Sequence, residues 1–216
     1  GEEKAELRQT RLDICRRFAG RRPQRFLELV IPKRRKSADY QADVDDWHRG
    51  IADAYGKALA ELPEDGAAGL LVWGDPSLYD STLRILERLR ADGVAFDYEI
   101  VPGITSIQLL AARHRIALNR IGEPVLLTPA RRLAEGFPDD VDTAVVLLDG
   151  EQTFQKMDGE KFDIYWGAYL GMPDEILVSG KLSEVAAEIS TKREQARARK
   201  GWIMDVYLLR RRSDST

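Results

Sequence analysis

A chain of 216 residues, 44% of them hydrophobic, carries enough apolar material to bury a real core, as one large domain or two small ones. Its charged residues, 32% of the total, are of both signs and sum to a formal net charge of −3, so bulk charge does not point to nucleic acid. The single cysteine, Cys15, excludes an internal disulfide, no apolar run approaches the ~20 residues that span a bilayer, and the charged opening GEEKAELRQT is no secretory signal, so a cytoplasmic protein with no membrane partner is expected.

Glu2–Phe18 reads as a helix with a ragged apolar side of Leu7, Ile14 and Phe18. Phe26–Ile31 (FLELVI) reads as a strand ended by Pro32, and Lys33–Asp46 as a charged loop. Val44, Trp47, Ile51, Tyr55, Ala58 and Leu62 recur at three- and four-residue spacing and predict an amphipathic helix, which Pro63–Gly66 breaks. Leu70–Trp73 then reads as a short buried strand, Ser77–Arg90 as a helix, and Ala95–Ile100 as a strand running into Val101-Pro102-Gly103. Thr105 and Gln108 stand at capping-box spacing, which predicts a helix from there to Ile116.

After Asn119–Glu123 the pattern shifts. Strands are predicted at Pro124–Leu127, Thr143–Leu148, Phe162–Trp166, Glu175–Ser179 and Trp202–Leu209, with one long helix, Ser183–Lys200, that Gly201 is placed to end. The first half alternates helix and strand like a parallel α/β unit, and the second is strand-rich with one late helix. The expectation is an α/β protein of two domains, residues 1–119 and 120–216, with a cleft between them.

Two loops carry the strongest signal for chemistry. Each follows an apolar run and precedes a helical pattern, the position at which open α/β sheets hold small ligands. In GLLVWGDPSLYDST, Gly74 permits a sharp turn and a close ligand, and Pro76 suits a first helical position. Asp75 is unsuited to a phosphate but compatible with a cation such as a sulfonium or an ammonium. In VPGITSIQ, Thr105 and Ser106 bring hydroxyls to a helix start. A bare Gly-Asp-Pro is more often an ordinary junction; the two loops in this order are far more specific than either alone.

Other chemistry finds little support. Cys15 reads as a small core residue. His48 and His114 sit in charged helical surroundings, which disfavours a Ser-His-Asp arrangement, and the helix dipole accounts for His114 near a helix end. No Cys/His cluster has metal-ligand spacing, so no metal is expected.

GLLVWGDPSLYDS, YEIVPGITSIQLLAA, YLGMPDEIL and GKLSEVA resemble the tetrapyrrole (corrin/porphyrin) methylases, the class III S-adenosylmethionine-dependent methyltransferases. The stretches ARHRIALNRIGEP, VVLLDGEQTF and DIYWGAYLGMPDEIL carry the likeness to the family's branch in aerobic cobalamin (vitamin B12) biosynthesis, and it covers essentially the whole chain. The resemblance implies two α/β domains with S-adenosyl-L-methionine folded into the cleft between them, usually in a homodimer, and release of S-adenosyl-L-homocysteine. The implied reaction is methylation of ring carbon C-1 of precorrin-5, with loss of its acetyl group as acetate. By motif, Gly74, Asp75 and Pro76 would line the cofactor, with Tyr79 just behind, and Thr105 and Ser106 would contact it from the second loop. Leu148, Asp149, Gly167 and Ala168 correspond to the second domain's cofactor-facing segments, although relatives often carry Met-Gly where this chain has Asp149-Gly150. Family members open with a strand and a glycine-rich loop; no such loop occurs before Gly74, and both are expected to be absent from this chain.

Methyl transfer from a sulfonium is an in-line displacement, which asks the protein for positioning rather than a nucleophile. Removal of acetate would benefit from a general base, and Asp75, Tyr79 and Asp149 are the candidates. A polycarboxylate tetrapyrrole suits arginine forks. Arg113, Arg115, Arg120, Arg131 and Arg132 cluster near the domain junction, with Arg113, Arg120 and Arg131 preferred and a solvated basic face as the plain alternative. Trp166 and Tyr169 suit a flat macrocycle or, more often, a core. Two rival functions stay open: a relative acting on another ring carbon or on ribosomal RNA, and a non-catalytic partner subunit.

Overall fold

Where apolar residues recur at helical spacing in the first half, helices form and pack on one another. The computed structural model describes residues 5–18, 20, 25–35 and 37–212, so Glu2–Lys4 of the first predicted helix lie outside the described residues. Helix α1 is Ala5–Phe18, α2 Tyr40–Leu59 and α3 Thr82–Ala91. Ile51 and Ala52 of α2 meet Ile85, Leu86 and Leu89 of α3 in a buried cluster flanked by Trp47, Tyr55, Val94 and Phe96. Several boundaries differ from the sequence expectation, two helix starts among them. Helix α2 starts at Tyr40 rather than Val44 because the Asp39 carboxylate accepts from the Ala42 amide at 3.0 Å, an N-cap. Helix α3 starts at Thr82 rather than Ser77 because Asp75–Leu78 closes as a turn, with Leu78 N donating to Asp75 O at 3.2 Å. Pro76 therefore lies inside a turn, not at a first helical position.

The strands expected at Phe26–Ile31, Leu70–Trp73 and Ala95–Ile100 are not strands: among the described residues of this half none is in a ladder. Their apolar side chains stay largely outside, with Val30 90%, Leu71 53% and Ile100 46% exposed. An apolar run reports a preference for burial, but a strand also needs a neighbour to pair its N–H and C=O groups.

The second half has those neighbours. Helix α4 is Ser106–His114, β1 Val125–Pro129, α5 Ala130–Leu133, β2 Thr143–Leu147, β3 Phe162–Ala168, β4 Ile176–Lys181, α6 Leu182–Lys200 and β5 Asp205–Arg211, with a short 3-10 turn at Thr153–Lys156. The strands form one sheet in the order β1-β2-β5-β3-β4; β1 and β2 are parallel and every other pair is antiparallel. The last strand to be made thus lies in the middle, Leu208 facing Val145 on one side and Tyr165 on the other. Thr143–Val146 and Val206–Leu209 are each buried without a break, the mark of a sheet covered on both faces. Helix α4 packs on β3, β4 and β5, α5 on β1 and β2, and α6 on β3 and β4. Gly201, at φ 75°, ends α6 in the left-handed conformation.

The fold is mixed α/β, in two compact units: Leu7–Thr105, and Gly1–Glu6 with Ser106–Thr216. The sequence reading divides the chain near residue 120, whereas α4 joins the sheet unit by its packing on three strands. No helix among the described residues is long and apolar enough to cross a membrane.

Candidate functional site

In the Leu7–Thr105 unit, one carboxylate organises both singled-out loops. Gly74 turns the chain at φ 74°, and the next residue, Asp75, folds back on its own turn. Asp75 Oδ1 accepts from the Ser77 amide at 2.8 Å and from the Ser77 hydroxyl, the local bonding that favours Asp at a turn start with Pro following. Asp75 Oδ2 accepts from the Gly103 amide at 2.8 Å, which ties the first loop to the second. The approach is so close that a Cβ on Gly103 would lie 2.0 Å from the Gly74 carbonyl oxygen; only glycine fits there. Thr105 is buried beside Gly74, and Tyr79, exposed, holds a left-handed φ of 50°. The Ser77 hydroxyl, then the Gly103 and Ser77 amides, hold the Asp75 carboxyl below its ordinary pKa, so it is ionised at neutral pH. A carboxylate has about four lone-pair directions, so three donors leave it able to meet a cation.

The sheet unit holds the remaining sequence-selected residues. Ser106 opens α4 and is exposed. Leu148 follows β2 directly, 70% exposed at a left-handed φ of 58°. Asp149 turns inward: its carboxylate accepts from Glu151 N at 3.0 Å, Thr153 N at 2.6 Å, Thr153 Oγ1 at 3.1 Å and the Tyr207 hydroxyl at 2.8 Å. Burial, with the neighbouring Asp149 charge, pushes the Tyr207 phenol far up, so it remains a donor. Gly167 and Ala168 end β3 and are buried, and a Cβ on Gly167 would lie 2.7 Å from Leu170 Cδ2. Trp166 and Tyr169 belong to the core: the Trp166 indole donates to Asp205 at 3.1 Å and the Tyr169 hydroxyl to Trp202 O at 2.6 Å.

Most of the arginine cluster is paired within the fold. Arg113 Nε lies 2.7 Å from Glu175 Oε1, and Arg120 bonds to Asp142 at 3.0 Å and to Arg211 O at 2.8 Å. Arg132 pairs with Glu135 at 3.2 Å, Arg115 is left-handed after α4, and Arg131 is exposed on α5. Burial works against ionised Glu175, but the bonds from Arg113 and Gly171 outweigh it and hold its pKa down. His114 Nε2 lies 3.0 Å from Trp166 O, so that nitrogen carries the proton and donates; burial lowers its pKa, and the ring clamps α4 to β3 as a neutral group. His48 bonds to Ser81 Oγ at 2.9 Å, and Cys15 is half-buried. A groove of about 600 Å³ between Leu27–Pro32 and α2 contains none of these candidates.

Sequence reasoning missed two features. Ser77 was readable as Asp75's partner from the Asp-Pro-Ser turn itself. The ion pair of Arg193 with Asp205, 2.9 Å apart and 6% and 7% exposed, was also signalled, since Arg193 falls on the buried stripe of Leu182, Ile189 and Ala196 along α6.

The family model for tetrapyrrole (corrin/porphyrin) methylases matches residues 7–186. The chain belongs to the tetrapyrrole methylases. Among its relatives, this methylase is 52% identical over 217 residues to the precorrin-6A synthase [deacetylating] of Sinorhizobium sp, covering 99% of this chain and 83% of that one. Among solved structures, it resembles the cobalamin synthesis related protein CobF of Corynebacterium diphtheriae at 36% identity and TM-score 0.80, over 96% of this chain and 83% of that one. The uroporphyrin-III-C-methyltransferase of Thermus thermophilus shares the fold at 20% identity and TM-score 0.51, over 73% and 67% of the two chains.

Proposed function

We propose that this tetrapyrrole methylase transfers the methyl group of S-adenosyl-L-methionine to C-1 of precorrin-5 and releases the acetyl group as acetate, forming precorrin-6A. The observation that carries the reading is the 52% identity to the Sinorhizobium sp precorrin-6A synthase over 99% of the chain. The local geometry supports it: the two loops are locked together where Gly103 meets the Gly74 carbonyl, and they hold an ionised carboxylate at Asp75 with capacity left for a positively charged ligand. When bound, S-adenosyl-L-methionine supplies an electrophilic methyl carbon on a sulfonium.

In the Leu7–Thr105 unit the donor-binding groups are Gly74, Asp75, Pro76 and Thr105; in the sheet unit they are Ser106, Leu148, Asp149, Gly167 and Ala168. Asp149 contributes through its backbone, because its carboxylate is taken up by four internal donors. That leaves Asp75 and Tyr79 for proton handling. Release of acetate needs water to add to the acetyl carbonyl, and a base to take its proton. The C–C bond that then breaks leaves its electron pair on C-1, the carbon that takes the methyl group. Arg113 and Arg131, both exposed, are the cations assigned to the substrate's carboxylates, Arg113 while also paired with Glu175, and Arg120 is an anchor for β5. The enzyme acts as a homodimer in the cytoplasm.

Calorimetry with S-adenosyl-L-homocysteine, followed by mass analysis of precorrin-5 conversion, tests the reading. Micromolar binding with acetate and precorrin-6A formed in equal amounts is expected; binding with methylation but no acetate would move the enzyme to another ring carbon.

A further inference from the structure

The structure assigns a positioning role to Arg193, a residue outside every segment so far connected with the methyl donor. Its guanidinium is buried in the sheet unit and uses two edges at once. Nε donates to Asp205 Oδ2 at 2.9 Å, and Nη2 donates to the backbone carbonyl of Asp149 at 2.5 Å. Asp205 Oδ2 also accepts from the Trp166 indole at 3.1 Å, and Asp205 stands opposite Ala168 in the β3–β5 ladder. Arg193 thus joins the segment Leu148–Asp149 to the segment Trp166–Ala168. The inference rests on the reading of those two segments as donor-facing.

The first segment needs such a support. Leu148 and Gln152 hold left-handed φ angles of 58°, which a side chain with a Cβ adopts only where its surroundings over-determine it. Here they do. The Asp149 carboxylate is gripped by Glu151, Thr153 and Tyr207, and the Asp149 carbonyl by Arg193. The result is that Leu148, a large apolar side chain on strained backbone, is presented outward instead of folding into the core. A buried ion pair contributes little to stability over an apolar replacement, so its use here is geometric: a planar fork fixes two backbone segments at a set spacing, which a lysine ammonium does not.

Arg193→Lys tests this, with Ile189→Val on the same buried stripe of α6 as the stability control. Affinity for S-adenosyl-L-homocysteine is measured by calorimetry and melting temperature by circular dichroism. The expected result is a loss of affinity in Arg193→Lys on the order of tenfold or more, as a misplaced binding group produces, with KM for the donor raised and kcat at saturating donor preserved. Ile189→Val should lower the melting temperature and leave affinity unchanged. If Arg193→Lys does not fold, Tyr207→Phe carries the test, since it frees the same loop by one hydrogen bond. Wild-type binding that Arg193→Lys, or Tyr207→Phe in its place, leaves intact overturns the positioning role alone, as does a loss that Ile189→Val reproduces. No binding by the wild type overturns the donor reading and this role with it.

Discussion

Asp75 Oδ2 and the amide of Gly103 are joined at 2.8 Å across 28 residues of chain. The other oxygen of the same carboxylate closes the Asp75–Leu78 turn through Ser77. One side chain therefore shapes its own loop and pins a second, and a glycine is required at each contact: Gly74 for its φ of 74°, Gly103 for the space its missing Cβ leaves.

Gly103→Ala should separate the loops, because the added methyl would sit 2.0 Å from the Gly74 carbonyl and the clash is with backbone. Binding of S-adenosyl-L-homocysteine should fall below detection by calorimetry, while far-UV circular dichroism stays native. Retained micromolar affinity would show that the loop pair is not part of the binding surface.

The Asp75 tie should also be visible in pH dependence. The Ser77 hydroxyl and the Gly103 and Ser77 amides lower this carboxyl's pKa, so the ionised, bonded form is complete at and above the ordinary carboxylate range. It is lost as pH falls through the lowered value. Donor affinity should be level from neutral into mildly acidic solution and collapse below. Asp75→Asn should bind more weakly and show no such step, and Asp75→Arg should not bind at all. A calorimetric pH series on wild type and both variants checks this.

Asp205→Ala should be among the most destabilising single changes in the sheet unit. It leaves the Arg193 guanidinium buried without its counter-charge and the Trp166 indole without its acceptor. The expected cost is about 3–5 kcal/mol, read from urea denaturation. A loss under about 1 kcal/mol is the behaviour of a hydrated surface pair and would contradict the burial of this one.

His114 should titrate below its ordinary value, since burial disfavours the imidazolium. The sign follows: the neutral ring's contribution to stability is full above the ordinary histidine pKa and is lost as pH falls through the depressed one. NMR titration of the His114 ring checks the midpoint, and His114→Gln, which keeps a donor for Trp166 O, should flatten this part of the stability profile.

How much was legible in the residues varied with what each feature depended on. The later strands were readable because their apolar runs are bounded by turns, and the sheet supplies each with a partner. Leu70–Trp73 and Ala95–Ile100 have equally apolar patterns and no ladder among the described residues, so pattern alone overstated them. The arginines show a similar limit. Their clustering suggested a basic face, but Glu175, Asp142 and the Arg211 carbonyl lie far off in sequence and only the fold brings them to Arg113 and Arg120.

The amino-acid order by itself determined the helices, whose hydrogen bonds close within a few residues, and the turn at Gly74, whose φ of 74° few other residues accept. It also carried the family, because GLLVWGDPSLYDS and YEIVPGITSIQLLAA are contiguous words. Tertiary structure alone decided that β5 enters the middle of the sheet, that Asp75 reaches Gly103, and that Arg193 binds two segments together. Those are contacts between distant residues, and their formation depends on chain closure and packing rather than on any local preference.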